Sequence, residues 1–276
     1  MDLKATRYEV AEGIATITLS RPERHNAWTG RMHTEYRWSL NEAENDHTVR
    51  AIVVTGDPAG RAFCVGGDSD ALLKHSERGE YDPGTPESLA RPGYGVRPEF
   101  DAPFAHQFGM ATPIIAAVNG AAAGVGLAVL CFADLRFVAE DATLTTAHGR
   151  LGLAAEYGLA WLLPRLIGLT RANDLLLSSR KFNGVEALDL GLANAALPAG
   201  TVLAHAQEYA SELVSNNSAA SLRETKRLIY TDLHRSAAEA IEDSESLLTA
   251  LMANPDYREG VAALRERRPP RFAGPK

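Results

Sequence analysis

The contrast between apolar and polar positions is sharpest from Pro113 to Asp134, PIIAAVNGAAAGVGLAVLCFAD, where no charged residue occurs before Asp134 itself. Ile114 to Val118 is a short apolar, β-branched run ended by Asn119-Gly120, which predicts a buried strand and then a turn. From Val125 through Phe132 the chain is apolar on every side, the pattern of a helix covered all round. The first turn of such a helix leaves backbone N–H groups without intrahelical acceptors, and they carry the positive end of the macrodipole. Small residues at a helix entry are also an ordinary way to pack a core, so this stretch gains functional meaning only beside a second one. Neither common phosphate fingerprint is present: Val129 stands where a dinucleotide motif requires its third glycine, and no Gly-Lys-Ser/Thr follows Gly120.

The second stretch is Gly60 to Asp68, GRAFCVGGD, and it follows another buried-strand pattern at Ala51 to Thr55. Ala62 to Val65 reads as a short strand running into Gly66-Gly67, where a ligand or another backbone can come close. Asp68 is placed to cap a helix over Ser69 to Lys74. Two strand, glycine turn and helix units can thus aim two main-chain N–H groups at one point.

The remaining elements follow the same reasoning. Tyr8 to Val10 and the alternating Ile14 to Leu19 predict a hairpin turned at Glu12-Gly13 and stopped by Arg21-Pro22. Thr29 caps a predicted helix from Gly30 to Glu44, and Phe100 to Met110 reads as helical. Leu135 to Val138 and Ala142 to Thr146 read as strands. Thr201 to Val214, Ala219 to Leu233, Ala237 to Met252 and Asp256 to Arg267 read as helices, broken at Asn216-Asn217-Ser218 and Asn254-Pro255. Between His75 and Asp101 the chain is rich in Pro, Gly and charge without periodicity, and is expected to form a flap beside the Gly66-Gly67 turn.

Composition narrows the function class. A chain of 276 residues, 45% hydrophobic and 23% charged, can bury a sizeable core. A formal charge of −7 offers no basic stripe for nucleic acid, and no run approaches the roughly 18 apolar residues of a membrane span. The first residues, MDLKATRYEV, lack the apolar block of a signal peptide, and Cys64 and Cys131 lie in apolar surroundings, so reduced thiols in a cytoplasmic protein are expected. One carboxylate stands out. Glu156 lies in the otherwise apolar GLAAEYG, where an unpaired buried acid has its pKa raised toward the range useful for proton transfer. An acid placed just before a helix beginning at Gly158 is equally explained by the favourable helix N-terminus.

The pair AFCVGGD and IIAAVNGAAAGVGLAVLCFAD, with LSRPERHNAW near the N-terminus and NPDYREGVAALRERRPPRF near the C-terminus, resembles the crotonase superfamily, the enoyl-CoA hydratase/isomerase group. The resemblance implies an α/β spiral of repeated ββα units over residues 1–200. It also implies a helical segment over 201–276 that packs homotrimers, often paired into hexamers. It implies an acyl-CoA substrate of the kind met in fatty acid metabolism, with no metal and no cofactor beyond the coenzyme A that the substrate carries. By the same resemblance the N–H groups of Gly67 and Val125 form an oxyanion hole. Arg24 and Ala27 lie along the CoA nucleotide, and Ala62, Val65, Gly66 and Asp68 are further CoA-binding positions.

The two glutamates of the family's hydratases fall on Ala128 and His148, neither of them acidic. In the family's isomerases and its aromatic dehalogenase a working aspartate occurs where Glu156 stands. Double-bond isomerisation is therefore expected ahead of standard hydration, with Glu156 moving the proton and His148 assisting or holding a water. The alternatives are a hydrolase in which Glu156 attacks the substrate, and a non-catalytic CoA or RNA binder, the latter disfavoured by the negative charge.

Overall fold

The hairpin forms as β1 (Thr6–Ala11) and β2 (Ile14–Leu19), turned through Glu12 and Gly13, which both take positive φ. Its first strand is tied down by the buried Glu35, whose carboxylate accepts from the Lys4, Ala5 and Thr6 N–H groups at 2.9, 2.7 and 2.8 Å. Burial alone would raise that carboxyl. The Arg31 guanidinium and the Lys4 and Ala5 N–H groups outweigh it and hold the group below the usual range. The computed structural model describes residues 1–79 and 96–272, so most of the segment in which a flap is expected lies outside the described residues.

From β3 onward the chain alternates between two sheets. β3 (Ala51–Gly56) is followed by β4 (Ala62–Cys64) and the helix Ser69–Arg78. β5 (Ile114–Val118), β6 (Ala121–Ala123) and the helix Val125–Cys131 repeat the unit. β7 (Leu135–Ala139), β8 (Leu144–Thr145) and the helix Leu159–Ile167 repeat it again, and β9 (Ala195–Leu197) ends the series. The larger sheet has the order β1-β2-β3-β5-β7-β9, parallel from β2 onward, and the smaller one β4-β6-β8, parallel throughout. This is the expected spiral of ββα units. β3 and β5 are buried along their whole length because both faces are covered, so their sequences are continuous apolar runs rather than alternating ones.

The turns between the sheets are tight. A Cβ on Gly56 would stand 2.3 Å from the Ala62 carbonyl oxygen, so only glycine lets β3 double back onto β4. Asn119 accepts from the Gly56 N–H at 3.2 Å and donates to the Gly56 carbonyl at 2.8 Å, its amide standing in for a neighbouring peptide. The expected helix over Phe100–Met110 is interrupted: a 3-10 turn covers Pro98–Phe100 and a short helix His106–Gly109. Pro103 disfavours helical backbone at Ala102 and supplies no donor, and Phe104 turns to φ 65°.

The C-terminal helices differ in how they are covered. Val202, Ala206, Ala210 and Val214 repeat every four residues and bury the helix Val202–Asn216 across the larger sheet. The helix Ala219–Asp232 is pinned by Lys226, buried and 2.8 Å from Asp134, and by Tyr230, which donates to Asp134 at 2.7 Å and stacks on Phe108. Beyond these, Ala237–Ala253 buries none of its residues and exposes Ile241, Leu248 and Met252, while Pro255–Glu266 exposes Tyr257, Val261 and Leu264. Among the described residues no helix is long and apolar enough to cross a membrane.

Candidate active site

β4, β6 and β8 are short parallel neighbours, so whatever follows their carboxyl ends is gathered in one place. β4 runs out into Gly66-Gly67, β6 into Gly124-Val125, and β8 into Thr146-Ala147-His148. The first two turns touch. A Cβ on Gly126 would meet the Cys64 carbonyl oxygen at 2.1 Å, and one on Gly66 would meet the Ala123 carbonyl oxygen at 3.0 Å. Gly66 and Gly124 sit at φ 99° and 51°, a region a side chain would strain. Val125 opens its helix, so its N–H has no acceptor within it, and among the described residues no group accepts from the N–H of Gly67 or Val125.

The loop after the hairpin clamps the first turn. Trp28 pairs with Gly67 as an isolated parallel bridge, its N–H donating to the Gly66 carbonyl at 2.7 Å and its carbonyl accepting from the Asp68 N–H at 2.9 Å. Asp68 caps the helix Ser69–Arg78 as expected, accepting from the Asp70 N–H at 3.0 Å, and its buried carboxylate also pairs with Arg21 at 2.9 Å and Arg24 at 3.3 Å. Burial would raise Asp68, but Arg21 and its neighbours hold it below the usual carboxylate range. Arg24 reaches Ser69 at 2.9 Å and Asp70 at 3.2 Å, and its pairing with Asp68 raises its pKa. Ala27 and Ala62 are buried beside this network, Val65 is exposed, and Gly66 is buried under Ala123.

Two residues of this clamp carry more than sequence reading assigns them. Arg21 donates to the Ala27 carbonyl at 2.8 Å as well as to Asp68, bridging loop and turn. Asn26, fully buried at φ 56°, donates to the Asp57 and Ala62 carbonyls at 3.1 and 2.7 Å and accepts from the Arg21 N–H at 3.1 Å. An asparagine in a polar loop next to a strand is a signal for such a cross-link, since it tolerates positive φ and copies backbone hydrogen bonding.

On the third strand end, Ala147 at φ 61° swings His148 inward, where it is buried with its Nδ1 unpartnered. Glu156 is half-buried. Burial raises its carboxyl above the usual 4.5 and the charge of His148 pulls the other way, which puts the two side chains within electrostatic reach. The following helix begins at Leu159 with Gly158 as its N-cap and no side-chain cap bond, and no described group donates a hydrogen bond to the Glu156 carboxylate. The helix-capping explanation of Glu156 therefore lacks its hydrogen bond. Gly158 lies against Phe132, at the end of the central helix, with the ring 3.4 Å from where a Cβ would stand. Ala128 is buried inside that helix.

Cys64 lies at the end of β4, but burial pushes its thiol up to about 12, which leaves it an inert packing group. Among the described residues no three His, Cys, Asp or Glu side chains converge as a metal site would require. A separate open groove of about 450 Å³ lies at the opposite ends of β4, β6 and β8, and none of the sequence-derived site residues lines it.

The chain is similar to known proteins along nearly its whole length. A family profile described as enoyl-CoA hydratase/isomerase matches residues 9–275. A Rhodobacter capsulatus protein named "Probable enoyl-CoA hydratase" is 34% identical over 99% of this chain and 100% of its own length. The 1,2-epoxyphenylacetyl-CoA isomerase of Escherichia coli K12 is 32% identical over 96% of this chain and 97% of its own. Among solved structures, that of a "probable enoyl-CoA hydratase/isomerase" from Mycobacterium abscessus is 33% identical, with a TM-score of 0.84 over 98% of each chain. With ββα repeats, paired glycine turns and full-length matches all in agreement, this chain belongs to the enoyl-CoA hydratase/isomerase family of the crotonase superfamily.

Proposed function

We propose that the protein shifts a double bond within an acyl-CoA thioester by way of an enolate, with Glu156 as the group that moves the proton. The observation that carries this reading is the Glu156 carboxylate: raised by burial and without a hydrogen-bond donor among the described residues, while by the family resemblance the hydratase glutamates fall on Ala128 and His148. The thioester oxygen sits between the N–H groups of Gly67 and Val125. Two such donors at a developing oxyanion each contribute on the order of 3 kcal/mol. Glu156 takes a proton from the α or γ carbon, the charge passes onto the oxygen, and the same carboxyl returns the proton to the other carbon. His148 steadies the ionised carboxylate. Arg24, partly exposed above Asp68 and Asp70, meets CoA phosphate, and the Ala27 main chain meets the adenine.

Family membership and a relative named as an isomerase of a CoA thioester support the reading. Turnover of a 3-enoyl-CoA in deuterated water is expected to place deuterium on carbon. In oxygen-18 water no label enters the product. Incorporation of oxygen-18 into a hydroxyl would identify hydration instead. Label in the Glu156 carboxylate would identify attack by Glu156 through a covalent ester.

The unburied apolar faces of Ala237–Ala253 and Pro255–Glu266 support self-association into a trimer or a pair of trimers. Sedimentation is expected to give three or six chains, and Leu264→Glu, at a position 79% exposed, to shift the protein to smaller species. A native monomer would remove this assignment.

A further inference from the structure

Between the Gly67 turn and Glu156 runs a lattice of rings that the chemistry above does not use. Trp28, whose main chain brackets Gly67, packs on Phe104 with centroids 5.7 Å apart and on His33 at 6.0 Å. Phe104 meets His33 edge-on at 5.7 Å and 85°, and on its other side meets Tyr157, the neighbour of Glu156, at 5.3 Å and 87°. We infer that the acyl site, read as above, selects a flat aromatic acyl group over a flexible chain, with His33, Phe104 and Tyr157 as its specificity-determining side chains.

Two independent features carry this. Phe104 and Tyr157 both hold positive φ, 65° and 53°, which is costly for bulky residues and persists only where the surrounding fold imposes it, typically at ligand clamps. Tyr157, next to the proposed base in the chain, and the Phe104 ring that it meets are thus held in place by backbone that intrinsic preference would not choose. The second feature is their mutual arrangement. Trp28 and Phe104 are buried, whereas His33 and Tyr157 remain half-buried, so the lattice presents ring surface at its margin. Burial, with the Arg37 charge beside it, pushes His33 down to about 4, so at neutral pH it is an uncharged ring like its neighbours. An aromatic guest continues the edge-to-face pattern already present. A polymethylene chain of equal carbon count must instead freeze several rotatable bonds against rigid walls.

The test is a binding titration of the native protein with phenylacetyl-CoA and octanoyl-CoA, which have the same number of acyl carbons and no double bond to move. Phenylacetyl-CoA is expected to bind about tenfold tighter, the fold-change of one favourable ring contact. Tyr157→Leu, and independently His33→Leu, should bring the ratio of affinities close to unity. Equal affinities, tighter octanoyl-CoA, no binding of either, or a ratio unmoved in both variants overturns the inference. Ring-selective binding without turnover of any thioester leaves it standing and removes the isomerase reading, whereas turnover without ring selectivity does the reverse.

Discussion

Glu156→Gln is expected to lower kcat by about 10²- to 10⁴-fold, the usual contribution of a positioned acid or base. The substitution keeps shape and removes only the ability to take a proton. Because no described group donates to this carboxylate, the amide breaks no hydrogen bond, and unfolding free energy should change by no more than about 0.5 kcal/mol. Affinity for CoA should persist, since Arg24, Ala27 and the two glycine turns are untouched. The pH dependence has a definite sign. The working form is the carboxylate, so kcat/KM rises with pH through the pKa of Glu156. Burial lifts that inflection above the usual 4.5, and the charge of His148 draws it partly back. Loss of that opposing effect in His148→Gln therefore moves the inflection upward. A Glu156→Gln variant with native kcat, or an acid limb at or below the ordinary carboxylate value, would overturn the assignment.

How far the sequence discloses this site depends on what kind of group does the work. The proposed oxyanion donors are main-chain N–H groups, and their positions follow from glycines and apolar runs legible along Ala62–Gly67 and Ile114–Phe132. β2, β5 and the central helix lie where periodicity predicts them, because each is long and apolar enough for its pattern to outweigh local accidents. Two of the short strands escape, although β4 and β8 fall within predicted ones. β6 is three alanines that read as small residues at a helix entry, and β9 is three residues whose strand character comes from pairing with β7. The interrupted segment at Phe104 shows tertiary structure overriding propensity: the ring is buried among Trp28, His33 and Tyr157, and the backbone follows it into the left-handed region. The partners that Arg21 and Asn26 cross-link are beyond reach for a related reason. Each joins segments distant in the chain, and a polar residue in a loop gives no local sign of which carbonyl it will meet.

The second large effect concerns the contact that brings the two turns together. In a helix interior Gly→Ala is ordinarily stabilising by about 1 kcal/mol. Gly126→Ala should do the opposite, because its Cβ would lie 2.1 Å from the Cys64 carbonyl oxygen and 2.9 Å from the Cys64 Cβ. Neither side yields easily, since Cys64 is fixed by the pairing of β4 with β6 and Gly126 by the first turn of a fully buried helix. Relief of the clash separates helix from strand. Unfolding free energy should fall by about 3 kcal/mol or more, at the upper end for overpacked cores, with a Tm lower by several degrees. The same movement carries the Val125 N–H away from Gly67, and a displacement of about 1 Å in a positioned group lowers kcat by about 10²-fold. Gly200→Ala supplies the comparison: nothing lies within 4 Å of its Cβ and its φ is not positive, so stability and turnover should be close to native. If Gly126→Ala were as stable and as active as Gly200→Ala, the close approach of helix and strand would not be what holds the two N–H groups together.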